Sequence, residues 1–298
     1  MNSPLIITGF SKRYGDFSAV NNLSLKLEQG EVFGFLGPNG AGKSTTIRSI
    51  LNFISPSKGQ ITINGLDSVK KSVEIKKHIG YLAGEVALYE SLTGNQILTY
   101  LSSLGKTNDN AFTSNLASNL DAQMDRPIKY LSKGNKQKIG LIQALMHKPS
   151  VLILDEPTSG LDPLIKEVFY EIILDFKKAG TTCFISSHDL SEVQKICDRA
   201  AFIREGDLIS TQNIKELNSN NYRHYKITFD KKVAIPDLIS IPGIQKVSQS
   251  NNQIDVIIDG YLNNFLTEIL KYNPIDLEEI KDSIEDIYMK FYSTQDNA

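Results

Sequence analysis

Residues 37–44 read Gly-Pro-Asn-Gly-Ala-Gly-Lys-Ser and match the complete phosphate-loop pattern G-x-x-x-x-G-K-[ST]. Glycine lets the backbone curl closely around phosphate groups, so that successive N–H groups point inward. In this pattern the amine of Lys43 reaches the β- and γ-phosphates, and the hydroxyl of Ser44 ligates Mg²⁺. We therefore expect a nucleotide site formed by Gly37, Pro38, Asn39, Gly40, Ala41, Gly42, Lys43, Ser44 and Thr45.

The flanking sequence predicts the strand, loop and helix that such a pattern requires. Residues 32–36 form a nearly continuous apolar run, as expected of a buried strand. Downstream, Ile47, Ile50, Leu51 and Ile54 fall on one face of a helix, whose N-terminal end adds partial positive charge beneath the phosphates. A glycine-rich turn without a ligand is the alternative interpretation, and this context argues against it.

Composition sets limits on the class of protein. With 298 residues, 41% hydrophobic and 22% charged, the chain can form one large globular domain and a small one. The chain has thirty-two basic and thirty-four acidic side chains, a balance that argues against broad electrostatic binding to nucleic acid. Nucleic acid is therefore not expected as a partner.

The apolar runs are shorter than the ~18 to 20 residues that span a bilayer, and the N-terminal sequence has no apolar signal-peptide core. We expect a cytosolic protein, unless a partner holds it to a membrane. Cys183 and Cys197 lie in apolar surroundings without metal-ligand spacing, which predicts packing roles in a reducing compartment.

A second group of polar residues follows the apolar run at 151–154. Asp155 comes at the end of this predicted strand, where ligands bind in open α/β sheets, and is placed to hold Mg²⁺. Glu156, the next residue, can orient or deprotonate an attacking water. A solvated acidic turn is the alternative, which the preceding apolar run disfavours.

Two further residues have functional and structural interpretations side by side. His188 follows a predicted strand at 181–185, so it emerges at the same sheet edge as Asp155 and Glu156. It can contact a γ-phosphate, or it can be a satisfied structural histidine. Strands are predicted at 5–14 and 23–27, with a turn at Gly15 and Asp16 between them. Tyr14, at the end of the first strand, can stack on adenine or be an ordinary aromatic at a strand end.

The rest of the chain suggests an insertion and a second domain. Residues 91–120 are polar and helix-compatible, and residues 136–146 predict a helix that Pro149 stops. Residues 218–221 form a polar linker. Beyond it, strands around 225–229 and 254–258, a helix at 262–270 and a last helix capped by Ser283 predict a small α+β unit without catalytic residues. Its expected role is packing or dimer support, and a regulatory role is the alternative.

The combined motifs resemble those of the ATP-binding cassette (ABC) ATPases over residues 1 to about 215. In that family they occur as Walker A (37–44), signature (131–135), Walker B with its glutamate (151–156), D-loop (159–162) and H-loop (His188), in this order. The resemblance implies an α/β P-loop NTPase core at 1–217, with an antiparallel β subdomain and a helical insertion at about 86–147. Residues 222–298 are expected to form the small C-terminal α+β accessory domain.

The same resemblance assigns roles to residues that chemistry alone leaves open. Tyr14 matches the aromatic that stacks on adenine, and His188 matches the γ-phosphate contact. Lys43, Glu156 and His188 are the expected catalytic residues, and Ser44 and Asp155 are the expected Mg²⁺ ligands. Ser132 and Gly134 of the signature and Asp162 of the D-loop are expected at the nucleotide.

Two positions depart from the family pattern. The signature reads Leu-Ser-Lys-Gly-Asn where Leu-Ser-Gly-Gly-Gln is usual, but it retains Ser132 and Gly134, so we expect function to survive. At Gly84 the family carries a glutamine that touches Mg²⁺ and the water; either Glu85 or no side chain replaces it. Both departures resemble cassettes of bacterial exporters of drugs and antimicrobial peptides.

In this family each ATP is bound between the Walker A of one copy and the signature of another. The resemblance thus implies a head-to-tail dimer, with a second copy of the chain or a related cassette. It also implies ATP and Mg²⁺ as cofactors, and a separate transmembrane permease that holds the protein at the cytoplasmic face of the membrane, with export as the direction. The alternatives are a soluble ABC-type ATPase that acts on ribosomes or DNA, and a nucleotide-dependent switch with little hydrolysis.

Overall fold

The computed structural model describes residues 3–104, 109–214, 222–230, 244–259 and 262–280. The chain divides into two compact units, residues 1–214 and 215–298. The predicted end of the first domain at 217 and the predicted linker at 218–221 lie outside the described residues, which resume at 222. Residue 222 is also the predicted start of the second domain. The predicted helix that begins at Ser283 also lies outside the described residues.

The first unit contains a mostly parallel sheet with helices around it, so the predicted α/β class is confirmed. Its strands lie in the order β10-β9-β3-β8-β7-β6, and β10 pairs antiparallel with β9. The strands are β3 (Val32–Leu36), β6 (Ile79–Leu82), β7 (Val151–Asp155), β8 (Thr182–Ser187), β9 (Arg199–Arg204) and β10 (Asp207–Asn213). Every residue of β3, β7 and β8 is buried, as expected of parallel strands covered on both faces.

The strand order determines where polar groups meet. Strand β8 lies between β3 and β7 and is parallel to both. The carboxyl ends of the three strands therefore lie side by side. The phosphate loop follows β3, Asp155 ends β7 and His188 follows β8. Parallel pairing in this order thus collects three distant parts of the sequence at one sheet edge.

A second, antiparallel sheet of the first unit has the order β2-β1-β4-β5. Its strands are β1 (Leu5–Tyr14), β2 (Phe17–Lys26), β4 (Lys58–Ile63) and β5 (Leu66–Asp67). The predicted turn at Gly15 and Asp16 joins β1 to β2. Strand β2 begins at Phe17, earlier than the predicted start at Leu23, because residues 17–20 extend the pairing with β1.

Helices cover the parallel sheet and fill the segment between β6 and β7. They are α1 (Lys43–Ile50), α2 (Ser72–Lys76), α3 (Gly94–Leu104), α4 (Asn110–Asn119), α5 (Lys133–Leu145), α6 (Pro163–Lys178) and α7 (Leu190–Ile196). None of the helices in the described ranges is long and apolar enough to cross a membrane.

Two predicted helix limits were wrong. Helix α1 ends at Ile50, so Ile54 lies outside it; Asn52 adopts a positive φ of 51° and the Phe53 N–H donates to the Arg48 carbonyl at 2.8 Å, which closes the helix. Helix α5 begins at Lys133 and not at Lys136, because the Ser132 hydroxyl accepts the Asn135 N–H at 3.3 Å as an N-cap.

The second unit forms an antiparallel sheet in the order β12-β13-β11-β14 with a helix packed on it. Its elements are β11 (Tyr222–Phe229), β12 (Ile244–Ser250), β13 (Gln253–Asp259), α8 (Leu262–Leu270) and β14 (Pro274–Ile280). The predicted strands at 225–229 and 254–258 and the helix at 262–270 are present, whereas β12 and β14 were not predicted. Phe265 of α8 stacks on Tyr225, with ring centroids 5.9 Å apart.

Both cysteines are buried, and their chemistry follows from that burial. Burial raises the pKa of the Cys183 thiol to about 12 and the pKa of Cys197 well above its ordinary value. Since the thiolate is the nucleophile, both thiols are almost entirely protonated near neutral pH and react slowly. We expect iodoacetamide to leave the folded protein unmodified at about pH 8 and to alkylate both cysteines in urea. Rapid labelling of the native protein, measured by mass spectrometry, would contradict this prediction.

Candidate functional site

The phosphate loop is fixed by close backbone packing. A Cβ atom on Gly37 would lie 2.3 Å from the Ile203 carbonyl oxygen, and one on Gly42 would lie 2.7 Å from the Ala19 carbonyl oxygen. Gly42 also has a φ of 108° and precedes the first residue of α1. Larger residues would therefore displace the loop. The first N–H groups of α1 have no acceptor within the helix and point toward the loop, as an anion site requires.

Lys43 lies at the centre of the loop. Its side chain is 6% exposed, and Nζ donates to the carbonyl oxygens of Gly37 at 2.6 Å and Pro38 at 3.2 Å. The same ammonium is 3.4 Å from Oε1 of Glu156. The loop thus carries a buried positive charge that one carboxylate neutralises.

Glu156 joins three parts of the site. Its Oε2 atom is 2.6 Å from Nδ1 of His188, while Oε1 faces Lys43. Lys43, Glu156 and His188, which the sequence predicts as catalytic residues, therefore form a continuous chain of polar contacts. A carboxylate held between a lysine and a histidine is suited to orient a water molecule and to receive a proton from it.

The backbone at Glu156 is strained and firmly held. Its φ is 49°, a left-handed conformation that costs a non-glycine residue about 1 kcal/mol. The Glu156 N–H donates to the carbonyl oxygen of Ser186 at 3.2 Å and to its hydroxyl at 3.1 Å. On the other side, Nε2 of Gln137 donates to the Glu156 carbonyl oxygen at 3.3 Å. These contacts stabilise a turn that aims the carboxylate into the site.

Asp155 is buried beside the phosphate loop. It is 6% exposed, and its Oδ1 accepts the Ser186 hydroxyl at 2.5 Å. A Cβ on Gly84 would lie 3.4 Å from its Oδ2, so the backbone of Gly84 passes directly over this carboxylate, while Glu85 is exposed. Burial, reinforced by the charge of Asp155, raises the pKa of the Tyr81 hydroxyl.

Two aromatic side chains form one wall of the cleft. Tyr14 and Phe17 are paired across the β1–β2 turn and are 48% and 66% exposed. Lys12 places its ammonium 5.1 Å from the centre of the Tyr14 ring. Phe17 was not singled out from the sequence, although its position directly after a tight turn beside Tyr14 is a usable signal.

The surrounding cleft has a volume of about 760 Å³. It contains Tyr14, Phe17, most of the phosphate loop, Asp155, Glu156 and His188. Ser44 and Thr45 lie on its floor at the start of α1. A hydroxyl and a buried carboxylate, from Ser44 and Asp155, are oxygen donors of the kind that Mg²⁺ prefers.

The signature residues lie elsewhere. Ser132 caps α5, and a Cβ on Gly134 would lie 2.6 Å from the Gly160 carbonyl oxygen, so this glycine permits close contact with the D-loop segment. Asp162 caps α6 by accepting the Ile165 N–H at 3.0 Å. Ser159, in the D-loop, is one of the described residues that line the cleft. Ser132, Gly134 and Asp162 are not among those lining residues.

Three residues that hold the site were missed by sequence reasoning. Ser186 anchors Asp155 and Glu156, and Gln137 anchors the Glu156 backbone. Glu192, which is buried, accepts the Ser187 hydroxyl at 2.7 Å next to His188. A polar residue inside an otherwise apolar strand or helix face is the signal that could have found them.

Comparisons with known proteins find a matching family and similar sequences. The sequence profile of the family described as ABC transporter matches residues 20–159. The chain is 37% identical over 215 residues to the ABC transporter ATP-binding protein NatA of Bacillus subtilis (strain 168). This match covers 69% of the present chain and 87% of NatA. It is 34% identical over 307 residues to the bacitracin transport ATP-binding protein BcrA of Bacillus licheniformis, with 97% of each chain covered.

A solved structure shows a similar fold. The chain cbiO1 of Clostridium perfringens, described as part of the ABC transporter complex cbiONQ, superposes with a TM-score of 0.63 at 27% identity. The match covers 74% of this chain and 92% of that chain.

Proposed function

This chain belongs to the ATP-binding proteins of ABC transporters, as its motifs predicted, and we propose that it drives a separate transmembrane subunit by closing and opening as a dimer around ATP. It binds and hydrolyses ATP as the cassettes of this family do. ATP can shift the chain toward a closed dimer only by binding that form more tightly than the open one.

Within one chain, the proposed roles follow the geometry of the cleft. Lys43 binds the β- and γ-phosphates, and Ser44 and Asp155 would hold Mg²⁺, which would supply charge neutralisation at the phosphates. Glu156 orients and deprotonates the attacking water, and His188 contacts the γ-phosphate. The contact of 2.6 Å between His188 and Glu156 supports a joint role at that phosphate. Backbone N–H groups of the loop complete the binding of the phosphates.

We propose that the second half of each ATP site comes from another chain. The signature residues Ser132 and Gly134 and the D-loop residue Asp162 are not among the described residues that line the cleft of their own chain. A head-to-tail, two-fold dimer places the signature of one chain opposite the phosphate loop of the other. The second chain is a copy of this one or a related cassette.

The proposed membrane partner is a separate permease, with the protein held at the cytoplasmic face of the membrane. The name of the solved relative, part of a transporter complex, supports a partner on a separate chain. Tyr89, which is 65% exposed beside the half-buried Leu88, is the proposed contact surface. BcrA, named for bacitracin transport, matches over 97% of both chains, so the similarity extends into residues 222–298, and its name supports the exporter branch.

The observation that carries this function is the cleft in which the phosphate loop meets Glu156 and His188. The transporter role is tested by purifying the tagged chain from gently solubilised native membranes. We expect a stoichiometric polytopic membrane protein to accompany it. Recovery from the soluble fraction with ribosomes, or alone, would contradict the transporter role and leave the ATPase.

The role of Tyr14 leads to a quantitative prediction. Stacking of an aromatic ring on a base contributes about 1 to 3 kcal/mol, so Tyr14→Ala is expected to raise the Kd for ATP by roughly 5- to 150-fold. Tyr14→Phe keeps the ring and should bind normally. Tyr130→Ala is the matched control, since Tyr130 is also exposed and also has a lysine ammonium over its ring, but lies outside the cleft. Equal affinity of Tyr14→Ala and the native chain, measured by calorimetry, would contradict adenine stacking.

A further inference from the structure

We propose that Gln137 is a positioning residue that holds the carboxylate of Glu156 in its working orientation and ties it to the helix that carries the signature. Gln137 does not line the cleft, and it acts through the backbone. The inference rests on the proposed function, in which Glu156 activates the water.

Gln137 contacts the backbone of the turn at Glu156 and Pro157, which orients the Glu156 side chain. Gln137 is 2% exposed, and its Nε2 donates to two successive carbonyl oxygens, those of Glu156 at 3.3 Å and Pro157 at 3.0 Å. A carboxamide has two N–H donors, so one side chain satisfies both carbonyls. Buried donors and acceptors need partners, and this pairing fixes the peptide units on the carboxyl side of Glu156.

The opposite side of the same residue is held by a different element. The Glu156 N–H donates to the carbonyl oxygen and the hydroxyl of Ser186 in β8. Glu156 thus has a left-handed φ of 49° and is held from both sides, from the sheet through Ser186 and from α5 through Gln137. Without Gln137, the strained turn is free to relax and rotate the carboxylate away from His188 and Lys43.

Helix α5 contacts this loop at a second point, near its start. A Cβ on Gly134 would lie 2.6 Å from the Gly160 carbonyl oxygen, and Nζ of Lys133 donates to the Ser159 hydroxyl at 3.1 Å. The N-cap Ser132 directly precedes these residues. In the proposed dimer, α5 presents Ser132 to the nucleotide that the second chain binds. The same helix also contacts the loop that begins at Glu156 of its own chain. A shift of α5 moves both together.

The test is a double-mutant cycle between Gln137→Met and Glu156→Gln, with turnover expressed per bound nucleotide. Methionine keeps the length of the side chain and removes both donors. Only folded chains bind ATP, so this ratio is independent of any loss of folded protein.

In the native background we expect Gln137→Met to lower kcat by roughly 10- to 100-fold with an unchanged Kd for ATP. In the Glu156→Gln background the residual turnover, followed with radiolabelled ATP, should change by less than about twofold, because the residue acts through the missing carboxylate.

A matched control and a second variant sharpen the result. Gln143→Met makes the same change on the same helix, at a residue that does not contact the Glu156 turn, and should leave kcat unchanged. If Gln137→Met does not fold, Gln137→Leu serves instead; it also removes both donors, places no charge against the two carbonyl oxygens and should give the same loss.

The outcomes separate this inference from the proposed function. Native kcat in the variant, or an equal fold-loss in both backgrounds, would overturn the role of Gln137 while Glu156→Gln still abolished turnover. If Glu156→Gln itself kept native turnover, the proposed role of Glu156 would fail first, and this inference with it.

Discussion

Glu156→Gln is expected to retain ATP binding and to lose turnover by roughly 10²- to 10⁴-fold, the usual contribution of a positioned general base. The amide keeps the shape of the side chain, so the contacts to the loop survive in part. It cannot accept the proton of the attacking water, however, and it no longer balances the charge of Lys43, 3.4 Å away. Binding is measured by calorimetry and turnover by phosphate release.

The control for this substitution is Glu171→Gln, which removes an exposed carboxylate on α6 and should leave both quantities unchanged. An unchanged kcat in Glu156→Gln would remove this carboxylate from the chemical step. Loss of ATP binding together with turnover would instead give Glu156 a role in holding the phosphate loop.

Ser132→Arg is expected to abolish hydrolysis while a single chain still binds ATP with native affinity. Ser132 and Gly134 lie at the start of α5 and are not among the described residues of the cleft, so a bulky cation there leaves the chain's own ATP site intact. It obstructs the surface that a second chain needs. We expect turnover to fall by at least about 10²-fold, because the loss of one half of a site removes transition-state contacts and not ground-state binding.

Loss of the helix cap is the effect that must be separated from loss of the interface. The Ser132 hydroxyl accepts the Asn135 N–H, and removing such a cap costs about 1 kcal/mol of stability. Asp109→Ala is the matched control, since Asp109 caps α4 in the same way, by accepting the Phe112 N–H at 2.9 Å. It should reduce stability without reducing turnover. Full activity of Ser132→Arg would exclude a composite site.

The sequence predicted the elements whose signal is local. The apolar runs at 32–36 and 151–154 gave β3 and β7 nearly to the residue, because strands buried on both faces need continuous apolar side chains. The loop at 37–44 carries its own glycine pattern. The sequence also predicted that His188 lies at the same sheet edge as Glu156, but it did not predict the order of the parallel strands that brings the two side chains into contact.

Contacts between residues far apart in the chain could not be predicted from the sequence pattern. Nothing near Gln137 in the chain indicates that its amide reaches the Glu156 carbonyl, 19 residues away. The left-handed φ of Glu156 is equally hidden, because glutamate has no preference for that conformation. The start of α5 at Lys133 is hidden for a different reason: Ser132 belongs to the signature motif, but it is also the N-cap that begins the helix.

The second unit was predicted less completely. Strands β11 and β13 alternate apolar and polar residues, which is the usual sign of a half-buried strand. Strand β14, by contrast, is mostly exposed and acidic, and its place in the sheet depends on pairing with β11. Pairing of this kind is set by tertiary contacts and leaves little local signal.

A composite ATP site formed by two chains is tested most directly by mixing two inactive variants. Purified Glu156→Gln and Ser132→Arg chains are assayed for phosphate release separately and after mixing in equal amounts. In a mixed dimer, one site combines the intact Glu156 of one chain with the intact Ser132 of the other. We expect mixing to restore about a quarter of native turnover, since about half of the dimers are mixed and each has one intact site. A mixture no more active than the sum of its separate components would contradict the composite dimer.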